Sequence, residues 1–163
     1  MMRPRTLFRL GAVTAIAGGV LRAVDAVTGA QDPLLLSILY FLTDVFLIFG
    51  LTGWYAFRAK SLGWAGVAGY AASVVAILVI RSSSLFGPQG YALGAAIFLT
   101  GLSLMSICSL LRREGDRTAP ILWVCTLVLG IAALAVPMLA TLAGVLFGLG
   151  FVAAGVELWR RPT

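Results

Sequence analysis

Residues 34–57, LLLSILYFLTDVFLIFGLTGWYAF, form a run of 24 residues between Pro33 and Arg58 in which Asp44 is the only charge. A helix rises ~1.5 Å per residue, so this run is long enough to cross a hydrocarbon core ~30 Å thick with some tilt. Asp44 then falls near mid-depth, where a carboxylate costs at least ~2.5–3.5 kcal/mol on insertion scales. It must therefore face protein or a wet cavity, and the rest of the chain has to supply one.

The chain has 163 residues, of which 61% are hydrophobic and 11% charged, with a mean hydropathy of +1.04. Those values exclude soluble globular and disordered classes and leave an all-α, polytopic membrane protein. The formal net charge of +6 does not point to nucleic acid, because the basic residues sit in short clusters at span ends and no nucleic-acid-reading module is present. Histidine is absent, which removes haem ligation, His-based zinc sites and His-dependent triads together. Cys108 and Cys125 fall within apolar spans without CxxC spacing and read as buried small hydrophobes. No cofactor and no metal are expected.

Residues 1–23 mimic a signal peptide, but Arg22 interrupts the apolar run, and the segment reads as a retained first span. In order, the expected spans are 7–27, 34–57, 62–80, 89–111, 119–136 and 138–158, within a single transmembrane domain. Gly11, Ala15, Gly18, Arg22 and Asp25 recur every three or four residues, so one face of span 1 is small-residued and should pack against another helix. Thr100, Ser103 and Ser106 in span 4 read as hydroxyls bonded to their own backbone or a neighbour. From Ala119 to Val156 there are 38 uncharged residues, about 57 Å of helix, nearly twice the hydrocarbon thickness. The segment must double back, and Pro137 divides it.

Charge chooses between five spans and six. With six, the N-terminus, Arg58 and Lys60, Arg112, Arg113 and Arg117, and Arg160 and Arg161 share one side, collecting ten of the twelve basic residues. The positive-inside rule then puts both termini in the cytoplasm, with three helical hairpins joined by two basic loops in the cell (inner or plasma) membrane. Trp54, Trp64, Trp123 and Trp159 all fall near cytoplasmic ends and read as an interfacial belt. Glu157, one turn before Arg160 and Arg161, reads as a surface pair.

Arg22, Asp25, Asp44 and Arg81 are left in the outer half with Tyr40, Thr43, Gln89 and Tyr91. One reading pairs Arg22 with Asp44, leaves Asp25 to Arg81 or water, and makes Arg22, Asp25, Tyr40, Asp44 and Arg81 an outward-facing pocket for a small polar solute or ion. The other pairs Arg22 with Asp25, treats Arg81 as an interfacial anchor and leaves Asp44 neutral or bonded to Tyr40. The first implies a binding or transport protein. The second implies an accessory or scaffolding subunit with a structural ion pair. Without a catalytic triad, metal cluster or phosphate loop, no enzyme is expected. The expected partners are the bilayer, a small polar solute, and either further copies of the chain or a membrane partner subunit.

Overall fold

The computed structural model describes residues 4–28, 33–113 and 115–160. They form five α-helices and, among the described residues, no strand: α1 Pro4–Thr28, α2 Pro33–Arg81, α3 Ser83–Arg112, α4 Thr118–Ala132 and α5 Leu139–Arg160. Prolines open α1 and α2, where a missing N–H costs no hydrogen bond. Four segments are long and apolar enough to cross a membrane, Thr6–Val27, Leu36–Arg81, Gln89–Arg112 and Leu139–Arg160. Arg3, Arg161 and most of the first loop lie outside the described residues.

Helix α2 is not one rod but two helical limbs joined at a break in the helical backbone at Gly63. Between Asp44 and Arg81 a straight helix would extend about 55 Å, yet these residues form an ion pair. Thr52 and Tyr70 are hydrogen bonded at 2.9 Å, and Tyr55 and Tyr70 stack with ring centroids 4.4 Å apart. The chain folds back at Gly63, whose φ of 61° and ψ of −162° fall in a region essentially reserved for glycine. The expected spans 34–57 and 62–80 are thus two antiparallel limbs, 33–62 and 64–81, of one element. Gly87 (φ 69°, ψ −168°) breaks α3 near its start in the same way.

The helices close a ring in which α1 packs on α2, α2 on α3, α3 on α4, α4 on α5 and α5 on α1, with α5 also reaching α2. The small-residue face of α1 meets α2 as its spacing predicts: a Cβ on Gly11 would lie 3.1 Å from Gly53 Cα, and one on Gly18 3.0 Å from Phe46. The α1–α5 contact is closer still, since a Cβ on Gly19 would lie 2.5 Å from the Gly148 carbonyl oxygen. Such backbone proximity maximises dispersion contacts where lipid offers no hydrophobic drive for association. At the centre, Trp54 and Trp123 are fully buried and pack edge to face at 5.1 Å. Phe151, 5.0 Å from Trp123, and Phe147 extend that core. Only Trp64 and Trp159 are exposed, so the expected four-member belt has two members. Cys125 is also exposed and not buried as expected.

The turn between α4 and α5 departs from expectation. Helix α4 ends at Ala132, and at 15 residues it spans about 22 Å. Residues 133–138 wind into tight turns, with Leu134 N–H bonding Ile131 O at 3.1 Å and Leu139 N–H bonding Val136 O at 3.0 Å. Pro137, lacking an N–H, ends any helical continuation.

Candidate functional site

Arg22 and Asp25 continue the α1 stripe that packs on α2, which brings both to the wall formed by Tyr40 and Thr43. The Arg22 Nη1 to Asp25 Oδ2 distance is 2.5 Å, an i,i+3 contact preset by the helix. Asp44 accepts a hydrogen bond from Arg81 Nε. Asp44 lies 19 residues before Gly63 and Arg81 18 residues after it, so nearly equal arms bring the two side chains level. Tyr40 stands between the pairs: it lines the same cleft as Arg22 and Asp25, and its ring centroid is 5.9 Å from the Arg81 guanidinium carbon.

Arg22, Asp25, Tyr40 and Thr43, with Leu21, Val24 and Leu39, line a cleft of ≈ 80 Å³, and the Arg81–Asp44 pair lies outside that lining. The Arg81 and Arg22 side chains are 38% and 31% exposed, so the layer is not enclosed by protein on every side. All five predicted residues fall in one layer at the end of the bundle opposite Gly63. Their partners are exchanged relative to the first expectation, because Arg22 bonds Asp25 rather than Asp44, and Arg81 takes Asp44.

At the Gly63 end a second polar cluster is far better buried. Arg58 Nη2 donates to Glu157 Oε1 and Oε2 at 2.6 and 2.7 Å and to the Asp116 carbonyl at 2.6 Å, while Nη1 donates to Ser109 Oγ. Glu157 also accepts from Trp54 Nε1 at 3.2 Å and from the Asp116 N–H at 2.9 Å. The Arg58 guanidinium carbon lies 4.8 Å from the Trp54 ring centroid. The two side chains are 4% and 2% exposed, so Glu157 is not a surface partner of Arg160 as expected but the acid of a buried pair. Its signal was in the sequence: Tyr40, Asp44, Leu47, Leu51, Trp54 and Arg58 follow one another at alternating steps of four and three, a single inward stripe. On α5, Glu157 follows Ala143, Phe147, Gly150 and Ala154 at the same steps.

The span 4 hydroxyls divide three ways. Ser106 bonds the Leu102 carbonyl at 2.7 Å, Ser103 Oγ is buried without a partner, and Thr100 is exposed. Among the described residues no group of three His, Cys, Asp or Glu side chains is placed to hold a metal ion. Comparison with known proteins found no matching family model, and no curated protein or solved structure that matches the chain.

Proposed function

We propose that the chain crosses the cell membrane six times with both termini cytoplasmic, and that its outer polar layer is a non-enzymatic binding site for a small polar solute or ion. The topology is supported by the fold-back at Gly63, which turns the longest helix into two crossings, and by the basic residues at that same end. Helix α4, with the turns that follow it, supplies the fifth.

The observation that carries the binding reading is the cleft itself. Arg22 and Asp25 line it at partial exposure, with the Arg81–Asp44 pair reached through Tyr40 beside it, and its ≈ 80 Å³ admits several waters, each needing at least ~10–15 Å³ of such volume, or a solute of a few non-hydrogen atoms. An incoming anion takes a guanidinium from its aspartate and an incoming cation takes the carboxylate, so binding is an exchange of ion pairs in which Tyr40 holds the layer together. The opposite end is sealed by Arg58 and Glu157, which favours binding over an open channel. Transport would require that buried cluster to part.

The accessory-subunit reading is favoured by a different observation, namely that all four outer charges already satisfy one another. The two separate by experiment. Reconstituted protein is titrated with chloride, phosphate, ammonium and a zwitterionic amino acid. Binding of one class that is abolished by Asp44→Asn together with Arg22→Gln supports the site. Binding unchanged in that double variant, or no binding of any class, removes it. A monodisperse species without a stoichiometric partner in mild detergent removes the accessory reading.

A further inference from the structure

At the Gly63 end, α1 and α5 leave between them a groove of ≈ 420 Å³ lined by Val13, Ile16, Ala17, Val156, Trp159 and Arg160. Its volume lies within the ~300–1,000 Å³ typical of small-ligand sites. The lining is apolar apart from Arg160. Gly155 keeps the helices close beneath it, since a Cβ there would lie 2.6 Å from the Ala12 carbonyl oxygen.

Arg160 and Arg9 stand at the mouth. The Arg9 guanidinium carbon is 5.6 Å from the Trp159 ring centroid, which draws this cation to the groove edge. The natural helical partner of Arg160 is Glu157, three residues earlier, but Arg58 occupies that carboxylate. Among the described residues neither Arg9 nor Arg160 makes an ion pair. Asp116 is the acid whose field Arg160 shares, and its carboxylate is engaged by Thr118.

We infer that this groove holds one acyl chain of an anionic phospholipid, with its phosphate held by Arg9 and Arg160 beside Trp159. The occupant follows from charge complementarity. An apolar trough ending in two cations that make no ion pair among the described residues matches a molecule with a hydrocarbon tail and an anionic head, and a zwitterionic lipid brings a cation of its own to the same mouth. Basic recesses between transmembrane helices select anionic headgroups, and each arginine near the surface strengthens the association about 5-fold.

The test uses full-length protein in phosphatidylcholine nanodiscs, with Trp64→Phe so that Trp159 is the exposed indole. A minor fraction of phosphatidylglycerol brominated on its acyl chains is expected to quench Trp159 more strongly than the same fraction of brominated phosphatidylcholine. Arg9→Gln with Arg160→Gln should weaken the apparent association by about 25-fold, two 5-fold steps. Ala17→Phe, which fills the trough and keeps both charges, should abolish the preference as well. Equal quenching by the two lipids in the parent protein overturns the inference, and so does a preference that survives Ala17→Phe, which would be diffuse surface attraction. If the arginine variant does not fold, the parent comparison and Ala17→Phe still decide.

Discussion

Arg58 of α2 and Glu157 of α5, 99 residues apart in sequence, meet through one guanidinium nitrogen that reaches both carboxylate oxygens at 2.6 and 2.7 Å. Around them converge a hydroxyl from α3, the backbone of the 113–117 connector and the Trp54 indole. A buried pair repays its desolvation only when the remaining hydrogen-bonding groups are satisfied, and removing one partner strands the other charge.

Glu157→Ala is therefore expected to destabilise the protein by ~3–5 kcal/mol, because Arg58 keeps its charge in a site closed to water. Arg58→Met combined with Glu157→Leu should cost less than the two single changes together by ~1–3 kcal/mol, since no charge is stranded. Reversible unfolding in mixed micelles measures all three. Strict additivity would mean that the pair does not act as a unit.

This pair also shows what could be read from the sequence and what could not. Apolar length and charge placement located most ends of the helical segments to within a few residues, and the α1 stripe of Gly11, Ala15 and Gly18 announced its packing on α2. The C-terminal end of α4 was misjudged because an uncharged run carries no marker of where hydrogen bonding changes, and the helix stops at Ala132, five residues before Pro137. The Arg22–Asp25 pair of the second reading is the one observed, but neither reading paired Asp44 with Arg81, for a related reason. Depth estimated from span ends placed Arg22 near Asp44, but partners are set by the Gly63 hinge, which makes Asp44 and Arg81 level and leaves Arg22 to its own helix. Glu157 offered two periodic partners, Arg160 on its surface face and the core stripe through Ala154. Only the packing of α5 on α2 decides between them.

Gly63 and Gly87 should resist substitution for backbone reasons alone. Nothing lies within 4 Å of a Cβ built on Gly87, and the nearest atom to one on Gly63 is 3.8 Å away, so space is not the obstacle. Their φ of 61° and 69° with extended ψ should make each alanine variant less stable by ~1–3 kcal/mol. Gly130, helical in α4 with only Leu99 at 3.5 Å, is the control. Gly130→Ala should leave stability unchanged or raise it by up to ~1 kcal/mol. Thermal unfolding followed by size-exclusion chromatography compares the three, and tolerance of Gly63→Ala equal to that of Gly130→Ala would contradict the hinge.

The proposed topology implies an accessibility pattern as well. Lys60 and Tyr91 are both exposed but belong to opposite ends of the bundle. With Cys108 and Cys125 replaced by alanine, Lys60→Cys in sealed right-side-out vesicles should react with a membrane-impermeant maleimide only after permeabilisation. Tyr91→Cys should react before it. Labelling of both from the same side would show that 64–81 does not cross the membrane.

The connector at the Gly63 end carries a pH response whose sign is set by Asp116. Its carboxylate accepts hydrogen bonds from the Thr118 hydroxyl at 2.7 Å and the Thr118 N–H at 2.9 Å, and these hold its pKa below the ordinary 3.8. A depressed folded-state pKa contributes stability that is fully present above the unfolded value and is lost as pH falls through the folded one. Stability should therefore decline on acidification below about pH 4, and Asp116→Asn should remove that part of the slope while leaving neutral-pH stability little changed, because the side chain is exposed. Thr118→Val removes the hydroxyl donor and keeps the N–H, so its profile should lie between the two. Unfolding midpoints measured against pH for the three proteins give the answer, and an identical acid slope in Asp116→Asn would assign the response to another carboxylate.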